Sequence, residues 1–311
     1  MQVILIGNII THLYHGLNSV LRASGHPNEA MVATIITVLA NIVLDWLFIY
    51  PLDMGIRGAA IATVIAQTLP LIYLFKIFSN KKELVHFDRK DFVFDIKIIK
   101  DILAIGLSPF LLNTALCVII ILINKGLKEF GGDLSVGAYG IVNRVTFFFT
   151  MIVMGITQGM QPIVSYNYGA RQFSRVTETL KKAIILAIIT LSIGCFIGET
   201  IPRFVCRLFT TDNELLNYSV DGMRIVMSTF PIISLPIVIG NFFQSIGKAK
   251  KSIVLSLSRQ VLFLIPLLLT LPKFIGIHGV WWSIPISDII ATILSIIMIY
   301  RYYKFDVRKN T

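Results

Sequence analysis

Nine apolar runs, each about as long as a bilayer is thick, constrain this chain more than anything else in it. A membrane-spanning helix needs roughly 20 predominantly apolar residues. Runs of that kind cover 2–21, 30–50, 58–78, 98–124, 135–163, 179–200, 216–244, 252–271 and 279–302. Few residues are left between them, so no separate soluble domain is hidden in the chain. Composition agrees: 55% of residues are hydrophobic and 14% charged, where a soluble domain has about 45–50% and about 25%. The expected fold is an all-α polytopic membrane protein with about nine transmembrane helices. The opening Met1-Gln2-Val3-Ile4 enters an apolar run with neither a charged leader nor a cleavage site, so it does not read as a signal peptide.

The net charge of +11 would suit a nucleic-acid partner, but its placement argues otherwise. Alternate loops, counted from the one after the first run, hold nineteen of the 28 Lys and Arg residues together with the C-terminal tail. The other loops hold six. Positive loops stay cytoplasmic, so the bias predicts a multi-pass membrane protein with its C-terminus inside. The longest polar stretch, 79–100, reads as a cytoplasmic linker lying against anionic lipid. Cys117, Cys195 and Cys206 are far apart, with no metal or redox spacing, and are expected to pack as small apolar residues.

The chain also repeats itself. Gly25-His26-Pro27 opens one apolar segment and Gly247-Lys248-Ala249 opens another, 222 positions later. Pro51, Gly55, Ile56 and Gly58 then match Pro272, Gly276, Ile277 and Gly279. Long-range internal symmetry of this kind is a mark of transporter folds. Runs one to three are echoed by runs seven to nine. Runs four to six have no echo, and subtracting the period places it before Met1. Three further helices are therefore expected upstream, which would make these the last nine of twelve.

Polar residues inside apolar runs are the candidates for function, because they are costly in lipid. Asn41 and Asp45 stand at i and i+4, on one helix face. Asp45 is either a functional carboxylate at membrane depth or a cap near the helix end at Tyr50. His12 and His15 share a face, but no acidic or further histidine partner lies near, so a metal site is not expected. With Thr11, Tyr14 and Asn18 they read as a polar stripe facing a bundle or a cavity. Asn113 lies in the fourth run, and Asn143, Arg144, Gln158 and Gln161 in the fifth. Arg144 must pair, face water or snorkel to the outer surface. Gln158 and Gln161 are placed either to bridge to another helix or to touch substrate. Gly155, Gly159 and Gly169 read as close-packing positions, and Pro162 as the end of a helix or a kink in it. Arg259-Gln260 and Asp288, in the last two runs, are placed to form an intramembrane ion pair. Asp288 aligns with Gln67 of the earlier repeat. Pro231 and Pro236 predict kinks in the seventh run.

The run Q-G-M-Q-P-I-V-S-Y-N-Y-G-A at 158–170 resembles the signature of the MATE family of multidrug and toxic compound extrusion transporters, in its MepA-like bacterial branch. L-R-A-S-G-H-P (21–27), N-I-V-L-D-W-L-F-I (41–49) and G-I-R-G-A-A-I-A-T (55–63) resemble that family's first-half signatures. The resemblance covers the whole chain. It implies a partial N-lobe of three helices at 1–78, the linker at 79–100, a C-lobe of six helices at 101–303 and a cytoplasmic tail at 304–311. The chain is thus expected to be N-terminally truncated.

That resemblance implies secondary active export of cationic lipophilic compounds, in antiport with H+ or Na+, by rocker-switch alternating access. The implied partners are small lipophilic cations, the coupling ion and membrane lipid; neither a cofactor nor a nucleic acid is implied. Many members carry a cation-binding carboxylate on the first helix, which would be missing here. Some carry a glutamate where this chain has Leu116-Cys117, leaving Asp45 as the main visible candidate. A lipid-linked oligosaccharide flippase of the same superfamily and an inert membrane fragment are the alternatives. No phosphate-binding loop or nucleophile motif is present, so the chain is not expected to be an enzyme.

Overall fold

The computed structural model describes residues 2–80, 85–88 and 95–307. Every regular element among them is helical: α1 Gln2–Ala23, α2 Pro27–Ile49, α3 Gly55–Phe78, α4 Ile96–Gly169, α5 Phe173–Thr200, α6 Pro202–Arg207, α7 Asn213–Met227 and α8 Phe230–Ser245, then α9 Ala249–Leu257, α10 Ile265–Ile275 and α11 Ile277–Arg301. Two π-helical segments, Ser258–Leu264 and Tyr302–Val307, lie between α9 and α10 and after α11. The chain divides into two compact units, 1–95 and 96–311. Parts of the expected 79–100 linker and of the 304–311 tail fall outside the described residues.

All nine apolar runs fall on helices. Six helices among the described residues are long and apolar enough to cross a membrane, or seven when the bent pair α7–α8 counts as one span. The 74 residues of α4 make one of those six. At about 1.5 Å per residue they would run about 110 Å, far beyond a hydrocarbon core about 30 Å thick. Gly132 divides them, with φ 71° and ψ −173°, a backbone that only glycine adopts at little cost. The fourth and fifth runs lie one on each side of it. Helix α1 is outside the six, since Thr11, His12, His15 and Asn18 lower its hydropathy.

In the first unit, α1, α2 and α3 enclose a small core of Tyr14, Leu21, Ala33, Leu71, Leu74 and Phe78. The polar stripe expected on α1 divides between two faces. Thr11 hydrogen-bonds the Gln67 side chain on α3, and Asn18 Nδ2 donates to Ala30 O on α2 at 2.9 Å. His12 and His15 are exposed. No group of three potential metal ligands is found among the described residues.

The internal repeat is visible in the backbone. Gly25 and Gly247 both sit at positive φ (95° and 72°). In each case the following residue donates to a carbonyl five residues back: His26 N to Leu21 O at 3.1 Å, and Lys248 N to Phe243 O at 2.9 Å. This is the Schellman ending of a helix, with glycine in the left-handed position. Gly58 and Gly279 also correspond. A Cβ on either would meet the backbone of the preceding helix, at Phe48 or Leu271 respectively.

The second unit holds the larger core, built from α4, α5, α7, α8 and α11 around residues such as Phe149, Leu191, Met223, Met227, Phe242 and Trp281. Gly222 lies flat against the Trp281 ring, where a Cβ would come within 2.5 Å of the indole. Two runs are interrupted. The seventh breaks between Met227 and Phe230 with a 55° bend, just before Pro231, where a kink is expected; the proline ring disfavours helix at the preceding residue. The eighth passes through the π segment 258–264, where Ile265 N donates to Gln260 O, five residues back. Pro266 follows and has no N–H for the carbonyl four residues before it, so the regular ladder fails there.

Three further expectations meet the structure. Helix α4 continues through Pro162 to Gly169, so of the two alternatives there the proline does not end the helix. Among the described residues, a Cβ on Gly155, Gly159 or Gly169 would meet nothing within 4 Å, so the expected close packing is not seen at them. Of the cysteines, Cys206 is buried in the core and half-buried Cys195 packs against it, as expected of small apolar residues; Cys117 departs from this and is exposed.

Candidate cation and substrate sites

Helix α2 positions the candidate of the first unit. The residues between Ile42 and Phe48 are apolar apart from Asp45, and both Asn41 and Asp45 are half-buried. Asn41 Nδ2 and Asp45 Oδ1 are shielded from solvent, and neither has a hydrogen-bond partner among the described residues. An unpaired buried donor or acceptor costs about 1–3 kcal/mol, and more when charged. A carboxylate oxygen left this way fits a proton or a small cation, with the Asn41 carbonyl available as a second oxygen one turn away.

In the second unit, three elements converge on Asp288. Arg259, on the π segment, donates from Nε to Asp288 Oδ1 at 2.7 Å. Thr229, at the α7–α8 break, lies with its hydroxyl 3.4 Å from Asp288 Oδ2. Asp288 is 2% exposed, while the Arg259 side chain is 22% exposed. Gln260, next to Arg259 in sequence, is buried. One turn along α11, Thr292 Oγ1 sits 2.7 Å from Asp288 O and 3.2 Å from Ile232 O. Pro236 has no N–H to offer Ile232 O, so this hydroxyl meets a carbonyl the proline left without its helical donor. The expected ion pair is therefore present: it joins the π segment to α11, and Thr229 at the α7–α8 break adds a third element. In the first unit the corresponding Gln67 is likewise met by a threonine, Thr11.

The remaining candidates do not converge. Asn113 is exposed and donates back to Pro109 O at 2.9 Å. Gln161 Nε2 donates to Asn241 Oδ1 on α8 at 3.0 Å, and Ser165 Oγ lies 2.8 Å from Ser245 O one turn further on. Gln161 thus bridges helices, and its partner lies 80 residues away in sequence. Asn143, Arg144 and Gln158 lie exposed on α4. Nothing in the sequence singled out Thr229, Thr292 or Asn241. The Y-N-Y-G run marked Asn167, but no local signal there indicates that its Oδ1 is buried without a partner.

Comparison with known proteins agrees with this architecture. The MatE family model matches residues 104–270. The chain is 24% identical over 288 residues to the multidrug export protein MepA of Staphylococcus haemolyticus, and similarly to MepA of Staphylococcus aureus. The S. haemolyticus alignment covers 93% of this chain and 63% of that relative; the chain thus spans less than two thirds of the length of these curated relatives. The MATE multidrug transporter DinF-BH, solved in a ligand complex, superposes with a TM-score of 0.87 at 38% identity, covering 97% of this chain and 68% of that one. Another MATE protein, solved in its bent conformation, shares the fold with a TM-score of 0.90 at 24% identity, covering 99% of this chain and 69% of that one. With more than half of its residues matched by the family model and a 38%-identical relative covered over two thirds of its length, this chain belongs to the MatE family of multi-pass membrane transporters.

Proposed function

We propose that the chain acts in secondary active efflux of small lipophilic compounds, exporting cations in exchange for inward H+ or Na+ by rocker-switch alternating access. The observation that carries this reading is the pair of buried, unpartnered atoms at Asn41 and Asp45. It places an unsatisfied carboxylate within an apolar helix of a chain whose relatives are named as multidrug exporters. A carboxylate there serves coupling when it is satisfied alternately by the ion from one side and by protein or substrate groups after the switch. The C-terminus is cytoplasmic in this reading.

The test is ethidium efflux from cells expressing the gene in its complete reading frame. Asp45→Asn is expected to keep the protein in the membrane and abolish export. Asp45→Glu is expected to retain part of the export with a shifted pH optimum. Export by Asp45→Asn equal to that of the parent would sink the assignment.

A further inference from the structure

The ends of three helices meet around Tyr302. This residue follows the last turn of α11 and is buried. Phe242 and Phe243, near the end of α8, stand edge-on to its ring, with centroids 5.6 and 5.7 Å away. Two lysines at the start of α9 reach the same ring. Lys248 Nζ lies 4.6 Å from its centroid and Lys251 Nζ 5.5 Å. Lys251 Nζ is also 5.7 Å from the centroid of Phe243. Beside Tyr302, the Tyr303 hydroxyl is 3.2 Å from Thr177 Oγ1, which ties in the first turns of α5.

Each ammonium is attracted to the ring, but two of them on one ring repel each other, and their surroundings add to that. Segments 171–182, 248–251 and 301–304 hold nine Lys and Arg residues against one acid. That acid, Glu178, is already paired with Lys182 at 2.7 Å. This end of the second unit therefore carries an excess of positive charge, and Lys248 and Lys251 converge within it. An anion between them offsets the repulsion. The surroundings also define its kind. The membrane-crossing stretches Phe173–Thr200 and Ala249–Ile275 begin here, and Ile277–Lys304 ends here. From exposed Lys250 an apolar row leads away, with Val254 four residues on and then Val261 and Leu262, all exposed. A ligand that meets both features has an anionic head and an apolar tail. A phosphodiester has two unesterified oxygens, one for each ammonium, and basic pockets between membrane helices suit lipid head groups.

We propose that an acidic phospholipid binds at the α8–α9 turn, its phosphate between Lys248 and Lys251 beside the Tyr302 ring and its acyl chains along Val254, Val261 and Leu262. This lipid site does not depend on what the chain transports.

The experiment is native mass spectrometry of the full-length protein released from detergent, with phosphatidylglycerol or phosphatidylcholine of the same acyl chains added at equal concentration. The wild type is expected to retain phosphatidylglycerol about tenfold or more tighter than phosphatidylcholine, the scale of one charge-assisted hydrogen bond. The double change Lys248→Gln with Lys251→Gln is expected to remove that preference. Lys248→Arg with Lys251→Arg is expected to keep most of it, because both charges stay. Lys125→Gln with Lys273→Gln removes the same charge elsewhere in the second unit and is expected to keep the preference in full. Unfolding in lipid-free detergent checks that the glutamine pair is folded, and the comparison of two lipids on the wild type tests the site without any variant. Equal affinity of the wild type for the two lipids, a preference that survives the glutamine pair at Lys248 and Lys251, an equal loss in the Lys125 and Lys273 pair, or displacement of phosphatidylglycerol by inorganic phosphate at the same concentration overturns the proposal.

Discussion

Removing either partner of the Arg259–Asp288 pair should destabilise the second unit, and by unequal amounts. The contact is 2.7 Å from Nε to Oδ1. Two unit charges about 4 Å apart attract by about 4 kcal/mol at an effective dielectric constant of about 20. Much of that attraction offsets the desolvation of both groups, so the pair's net contribution is small and its breakage is what costs. In Arg259→Leu the carboxylate stays where it is 2% exposed, with a single side-chain contact, the Thr229 hydroxyl at 3.4 Å. This change should fall near the upper end of the ~3–5 kcal/mol seen when one partner of a buried pair is deleted. In Asp288→Leu the surviving guanidinium is 22% exposed, hydrates in part, and should lose about 3 kcal/mol or less. The double change removes both charges and should recover about 2 kcal/mol or more of the summed loss. The assay is unfolding in mixed detergent micelles, followed by tryptophan fluorescence for the parent, both single variants and the double variant. Losses that add within about 0.5 kcal/mol would show no coupling. A larger loss in Asp288→Leu than in Arg259→Leu would refute the asymmetry drawn from burial.

Three further outcomes are expected. Lys90→Cys should resist an impermeant maleimide applied to intact cells and react after permeabilisation, as the distribution of positive loops requires. Arg171 occupies a left-handed position at φ 57°, where Gln172 N donates to Asn167 O at 2.8 Å in the same helix-ending pattern that glycine serves elsewhere; Arg171→Gly should therefore raise stability by about 0.5–1 kcal/mol in the same unfolding assay. Burial pushes the Cys206 thiol up to about 11, so the thiolate is on the order of one part in 10^4 at pH 7, and the residue should stay unlabelled by maleimide in native micelles and react fully once denatured.

The sequence alone determined the features that depend on local backbone or on solvent. Apolar runs of spanning length leave only helices, because lipid offers backbone groups no partner outside the segment itself. The glycine pairs Gly25/Gly247 and Gly58/Gly279 announced the repeat, and in both copies they meet the same constraint, a left-handed turn or a backbone pressed against the Cα. Arg259 and Asp288 were legible as partners because each was a charge in an apolar run with few candidates to neutralise it. Tertiary structure decided what depends on neighbours far along the chain. It chose Asn241 as the partner of Gln161, and it brought Thr229 to Asp288 and Thr292 to Ile232, contacts across separations of 59 to 80 residues that no local pattern encodes. It also set the form of the breaks at 227–230, where the sequence marked a kink at Pro231, and at 258–264: a proline removes a donor, but packing determines how the ladder is repaired. The glycines of the second unit show the difference most plainly. Gly155 and Gly222 look alike in sequence, yet one faces open space and the other a tryptophan ring, because a residue without a side chain acquires its role only from what the fold sets against it.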